Sequence, residues 1–180
     1  MENPKDVFSI NEEEVMEYYD LRGTSGKLKL KCKMFRSWIL HYIAYSSPLS
    51  NFVINTQRKR GVGIGKNCHF SPYVLIDLVY PELIEIGDNV TLGSNSMIFS
   101  HINPTANLNL KQTHYPRKVA KVTIKSGAVI NPGAIITAGV TIGKNSIVSI
   151  GSAVFEDVPD NCVVLGNPAR VIKKLDFEEQ

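Results

Sequence analysis

The side chains able to do chemistry in this 180-residue chain are few and scattered: histidines at 41, 69, 101 and 114, and isolated cysteines at 32, 68 and 162. An imidazole titrates near pH ~6.5 and can take or return a proton at neutral pH. An odd number of cysteines with no CxxC spacing argues against a disulfide framework or a zinc knuckle, and suits a reduced, cytoplasmic setting. His69, His101 and His114 would suffice by number for a three-histidine zinc site, but a metal needs matched ligand geometry and nothing in their wide spacing points to it, so no metal is expected. Asp77 interrupts the aliphatic run Val74-Leu75-Ile76-Asp77-Leu78. A carboxylate there is expensive unless it is partnered or turned into water.

The element that must position these groups announces itself as a repeat. Ile124, Ile130, Ile136, Ile142, Val148 and Val154 recur every six residues, and Gly127, Gly133 and Gly139 follow the first three at a fixed offset. An earlier series runs Ile64, Phe70, Ile76 and then Ile86, Leu92, Ile98. A helix repeats near 3.6 residues and a half-buried strand near 2, so a strict six means a short strand and a tight turn, iterated as a β-solenoid. Three units make one coil, which places Ile124 under Ile142 and Ile130 under Val148 in a dry central column. Burying each of these aliphatics is worth about 1.5–3 kcal/mol. After Ile98 the frame breaks, and His101 stands where the solenoid opens into a loop over 102–121. A structureless stretch of that length in a compact repeat is a functional signal.

Several residues carry a family resemblance. Ile142-Gly143-Lys144-Asn145-Ser146-Ile147, Gly151-Ser152-Ala153-Val154, Asp157-Val158-Pro159 and Gly166-Asn167-Pro168-Ala169-Arg170-Val171-Ile172 resemble the closing coils of the hexapeptide-repeat acyltransferases, in particular the galactoside, maltose and polysaccharide O-acetyltransferases. The resemblance covers about residues 61–174. It implies a left-handed parallel β-helix, a homotrimer, and acetyl-CoA as co-substrate in a groove between neighbouring solenoids. It also implies a sugar or polysaccharide-precursor hydroxyl as acceptor, with His101 as general base in a ternary complex. It makes Asp77 and Ser71 acceptor contacts, Asp77 alternatively orienting the imidazole, and Ile150, Arg170 and Lys173 CoA contacts. Lys173 reads equally as part of a solvated basic tail. The chain departs from the family at Ser100-His101-Ile102-Asn103-Pro104, where Gly-His-Pro is common, and at Phe155-Glu156, where Thr-Lys is frequent. It also carries Ile150 where a smaller residue narrows the groove less, and Pro132 where a backbone N–H could meet the thioester. His114 is the fallback base. No cysteine has a reactive context, so direct transfer is expected.

The chain divides into three units: a helical cap over 1–60, the β-helix over 61–165 with its loop 102–121, and a C-terminal tail over 166–180. Helices are expected over 11–22 and 34–45, with a third from Ser47 to Gly61. Phe35, Trp38, Ile39, Tyr42 and Ile43 form one stripe expected to dock on the open end of the solenoid, leaving His41 solvated. Residues 1–20 carry seven acids and one lysine, and residues 21–60 nine Lys or Arg and no acid. The basic block could face the acidic segment of the same chain, a phosphate-rich ligand or an anionic membrane surface, the last through residues 27–60 at the inner face of the membrane. No apolar run spans a bilayer, the N-terminus does not read as a signal peptide, and no feature points to nucleic acid. The rival readings are a xenobiotic or amino-sugar acetyltransferase and a non-catalytic, partner-binding solenoid.

Overall fold

A computed structural model describes residues 6–102 and 107–176; Asn103-Pro104 and Glu178-Glu179 lie outside these ranges. The repeat forms a parallel β-helix of three narrow sheets. The first coil holds β1 (Gly63–Ile64), β2 (His69–Phe70) and β3 (Leu75–Ile76), and the second β4 (Ile84–Ile86), β5 (Thr91–Leu92) and β6 (Met97–Ile98). An excursion comes next: β7 (His101–Ile102), α4 (Leu108–Thr113) and β8 (Lys118–Val119), with β7 and β8 paired antiparallel. The third coil holds β9 (Val122–Ile124), β10 (Val129–Ile130) and β11 (Ile135–Ile136), and the fourth β12 (Thr141–Ile142), β13 (Ile147–Val148) and β14 (Ala153–Val154). The C-terminal segment closes the rod as a hairpin of β15 (Cys162–Gly166) and β16 (Ala169–Lys174).

The stacking is the one the rhythm predicts. Ile124 pairs with Ile142, Ile130 with Val148 and Ile136 with Val154, each wholly buried or nearly so. Close coil contact requires small residues at the turns. A Cβ on Gly143 would run into the backbone of Pro159 and Asp160, closer than any side chain could tolerate. One corner uses a column of left-handed residues, Asn67, Asn89, Gly127, Asn145 and Asn161, because Asn and Gly accept positive φ most readily.

Two interruptions fall at one corner, between the third strand of a coil and the first of the next. Ile64 pairs with Ile86 and Ile86 with Ile124, separations of 22 and 38 residues against 18 in the regular coils. The short excursion turns at Asp77 and carries a 3-10 turn at Pro81–Leu83; the long one begins at His101. The stretch expected as open loop therefore contains a helix, begun by the Asn107 side chain accepting from Leu110 N, and a two-stranded ribbon.

The N-terminal helices are α1 (Val7–Tyr18), α2 (Gly23–Tyr45) and α3 (Ser50–Arg60). Asp6 caps α1, accepting from Ser9 N at 2.7 Å, so the helix begins before the start expected at residue 11. Gly61, in the left-handed region, ends α3 as expected. The open edge of the first coil would otherwise expose unpaired backbone groups. The cap satisfies them: Ser50 Oγ accepts from Phe70 N, Tyr45 O from Tyr73 N, and Arg58 donates to Ile64 O and Gly65 O. Ala44, Val53 and Ile54 extend the column's core into the cap.

The docking face of α2 corrects the sequence reading. The helix packs inward through Gly26, Leu30, Ser37, His41 and Ala44, and the aromatic stripe faces outward: Phe35 is 63%, Trp38 49% and Tyr42 68% exposed. The reason is polar. The rod's end needs donors for Ile76 O and Asp77 O, and these come from Arg60, which only the Ser37–His41 side of α2 can accompany. His41 is thus buried rather than solvated, its Nδ1 facing Gln57 Nε2 and Arg60 Nη1 at 3.4 and 3.2 Å. The two charged blocks meet only in part. Lys27 pairs with Glu12, but Glu14 turns to Lys111 and Arg117.

Burial, with the charge of Arg60 second, pushes His41 down to about 4. The unfolded chain therefore takes up a proton there below pH ~6.5 that the folded one refuses until pH ~4. Stability is full above that window and falls as the pH drops through it, by up to about 3 kcal/mol. Urea unfolding at the two ends of the window measures the loss. A His41→Asn variant should lose much less across it; equal losses would remove His41 as the cause.

Candidate active site

Because Ile76 stacks on Ile98, the residues that leave the rod after each of them share a corner. Asp77 leaves after the first, and Ser100 and His101 after the second. The Asp77 side chain is fully buried, that of His101 12% exposed, and His101 Nδ1 lies 2.5 Å from Asp77 Oδ2. The same Oδ2 accepts from the backbone N–H groups of Ser100 and His101 at 2.9 and 3.1 Å. Oδ1 accepts from those of Val79 and Tyr80 at 2.8 and 3.0 Å. Five donors thus converge on one carboxylate. Burial alone would push Asp77 up, but the hydrogen bond and charge of His101 and the Tyr80 and Val79 amides outweigh it, holding the group below its ordinary 3.8. An ionised Asp77 makes Nδ1 the protonated nitrogen and leaves Nε2 to accept.

Other groups fix the pair from behind. Arg60 Nη2 donates to Asp77 O at 2.5 Å and Nη1 to Gln57 Oε1 at 2.5 Å, while Nε reaches Ser37 Oγ at 3.1 Å. Burial pushes Arg60 down to about 10, against the opposing charges of Asp77 and Glu82, so it stays cationic at neutral pH. The Tyr80 ring stands edge-on to the imidazole, 5.4 Å between centroids, and its hydroxyl accepts from Arg117 Nη2 at 2.7 Å. Tyr80 and Val119, the strand partner of His101, also wall a cavity of about 480 Å³. Glu14, Lys111 and Arg117 supply its charged lining and Gln112 a further polar group, and the buried Arg117 Nε has no hydrogen-bond partner among the described residues.

The structure thus brings Asp77 and His101 together. Ser71 lies in the turn after β2, at a different corner of the same chain. Ile150, 71% exposed, lies in the corresponding turn after β13, two coils beyond the coil of His101. Arg170 and Lys173 are exposed on β16, where Arg170 Nη1 lies 3.5 Å from Glu156 Oε2. His114 ends α4 in the open, hydrogen-bonded to Thr113, and His69 is exposed on β2. Among the described residues no three His, Cys, Asp or Glu side chains gather as a metal cluster would. The sequence reading missed Tyr80, Lys111, Arg117, Glu14 and Arg60. One signal was available: Val53, Gln57 and Arg60 share a helical face, which sets Arg60 apart from the adjacent exposed cations Arg58 and Lys59.

A rod of this kind has counterparts among known proteins. No protein-family model matches the chain. A Bacillus subtilis protein, "Putative acetyltransferase YvoF", is 31% identical over 143 residues, 78% of this chain and 77% of its own length. The galactoside O-acetyltransferase of Lactococcus lactis is 34% identical over 116 residues, 62% of this chain; the match spans 55% of that longer protein, little more than half. A solved galactoside acetyltransferase in complex with coenzyme A superposes with a TM-score of 0.64 at 25% identity, covering 82% of both chains. The chain belongs to the hexapeptide-repeat acetyltransferases. It is an acetyl-CoA-dependent acyltransferase.

Proposed function

We propose that this acyltransferase is an O-acetyltransferase that moves the acetyl group of acetyl-CoA to a hydroxyl of a sugar or polysaccharide precursor, with His101 as general base. The observation that carries the reading is the buried Asp77–His101 contact, which orients an imidazole and leaves Nε2 as its acceptor. The acceptor occupies the cavity beside Tyr80, where Glu14, Lys111 and Arg117 meet its hydroxyl groups. Nε2 takes the hydroxyl proton as the oxygen attacks the thioester carbonyl. The tetrahedral intermediate collapses, the C–S bond breaks, and the imidazolium returns its proton to the departing CoA thiolate. Asp77 holds the ring and stabilises the transient imidazolium, as the carboxylate of a catalytic triad does. No cysteine stands at this corner: Cys32 is on α2, Cys68 contacts Gly87 O and Cys162 is buried in β15, which favours direct transfer.

Ile150, Arg170 and Lys173 lie toward the far end of the rod, away from the corner that holds the base. One chain therefore carries the two halves of a site on different corners. A homotrimer of left-handed rods side by side joins the base of one protomer to the CoA contacts of the next, and Ser71 with them. Glu156 beside Arg170 tempers that cation, so Lys173 carries more of the phosphate interaction.

An acceptor panel tests the reading. Purified protein with acetyl-CoA is offered hydroxyl-only sugars and amino sugars, and free thiol is followed. Hydroxyl-only sugars are expected to turn over with kcat/KM at least about tenfold above amino sugars, since the pair is built to deprotonate an alcohol. Turnover confined to amines would replace this function with N-acetylation.

A further inference from the structure

The outward face of α2 takes no part in packing the cap. Leu28, Phe35 and Tyr42 succeed one another at intervals of seven along this face, with Trp38, Ile39 and Ile43 beside them. Phe35, Trp38 and Tyr42 form a continuous stack, with ring centroids 6.1 and 5.9 Å apart. Leu49 and Phe52 add exposed apolar surface before and on α3. An aromatic surface of this extent is unusual in water and marks an interaction site.

Its surroundings indicate what covers it. No acid occurs from residue 21 to residue 60. Some cations of this block are engaged: Arg22 with Asp20, Lys27 with Glu12, Lys33 over the Tyr19 ring, Arg58 on carbonyls of the first coil and Arg60 in the buried network. Lys29, Lys31, Arg36 and Lys59 are exposed with no ion-pair partner among the described residues. Lys29 and Arg36, seven residues apart, run along one flank of the aromatic line, and Lys31 lies on the other. A second copy meeting this face about a two-fold axis would set these cations against their own counterparts with no carboxylate to relieve them. A helix that offers Trp, Phe and Leu to one side and Lys and Arg at its margins matches a bilayer interface, where rings enter the headgroup layer and cations meet lipid phosphates.

We propose that the outer face of α2 docks the enzyme on a membrane surface bearing anionic lipid headgroups. The helix lies in the plane of the interface, with Leu28, Phe35, Trp38 and Tyr42 immersed and Lys29, Lys31 and Arg36 at phosphate level. No helix among the described residues is long and apolar enough to cross a membrane, so the contact is peripheral. The inference stands apart from the acceptor assignment, because no residue of this face lines the cavity beside Tyr80.

Trp38 is the only tryptophan in the chain, which makes the test direct. The full chain is mixed with vesicles of phosphatidylcholine alone or with about 30 mol% phosphatidylglycerol, and binding is read by co-sedimentation and Trp38 emission. Anionic vesicles are expected to bind at least about tenfold more tightly, with a blue shift of Trp38 that weakens as salt rises. A Lys29→Glu/Arg36→Glu variant should lose at least about tenfold in vesicle affinity. A Phe35→Ser/Tyr42→Ser variant should lose the blue shift, with helix content and turnover of a soluble acceptor unchanged. Binding that ignores lipid charge, or an unshifted Trp38, would overturn the proposal. So would an assembly of the wild type that hides Trp38 before lipid is added and dissociates in the Phe35→Ser/Tyr42→Ser variant, since a second copy would then be the occupant.

Discussion

Replacing His101 with alanine is expected to lower kcat by about 10²–10⁴-fold, the usual contribution of a positioned base. In barrier terms this is about 3–5 kcal/mol. The fold should survive, because Asp77 keeps four backbone N–H donors when the imidazole is removed. Affinity for CoA should also persist, since the contacts assigned to it lie on β16 and in the turn after β13. Single-turnover thiol release, CoA titration calorimetry and a melting curve on the same sample separate these quantities. Turnover close to that of the wild type would leave His101 with no chemical role.

Asp77→Asn should act on stability and rate together. The carboxylate offers acceptors to donors on both of its oxygens, three on Oδ2 and two on Oδ1. An amide has one oxygen, so in either orientation its NH₂ faces at least two N–H groups. Each donor left unpaired in a buried site costs about 1–3 kcal/mol. A loss of about 3–5 kcal/mol in unfolding free energy is expected, the range seen when one partner of a buried ion pair is removed. The amide also no longer holds Nδ1 in its protonated form, and kcat of the folded fraction should fall by up to about 10⁴-fold. Urea unfolding gives the first number and rate assays well below the midpoint the second. A variant that keeps full activity while losing stability would make Asp77 a structural residue only.

Much of the rod was legible because each coil makes one demand per side: an aliphatic that points inward. Ile124, Ile130 and Ile136 meet that demand without exception, and their pairing with Ile142, Val148 and Val154 is a matter of arithmetic alone. The Asp77–His101 contact was also implicit in the guide series, since stacking Ile76 on Ile98 brings Asp77 and the Ser100-His101 pair to one corner. The irregular length of 77–85 works against reading it there, because it obscures where an aspartate side chain turns. The face of α2 was not legible. The helix is apolar on two opposite sides, and hydrophobicity by itself favours the aromatic one. The selection came from unpaired carbonyls at the rod's end, which needed Arg60, and with it Ser37 and His41, on the inner side. The alternating Lys27–Lys33 run lies before the helix expected over 34–45, yet α2 takes it in. Its period of two resembles a strand, whereas in the helix it sends Leu28 outward and Leu30 inward.

Both excursions leave the rod at one corner and re-enter it in register, so the ladder of strands does not sense what is looped out there. Either can therefore be edited without disturbing the frame, provided the bonds that join them, Asp77 to His101 and Tyr80 to Arg117, are kept. The short one preserves the carboxylate that steadies the imidazole, and the long one can be lengthened, shortened or exchanged to suit a new acceptor while every coil keeps its place. Diversification of substrate range in such a scaffold requires no refolding of its frame, and grafting residues 102–121 between relatives is the natural unit of exchange.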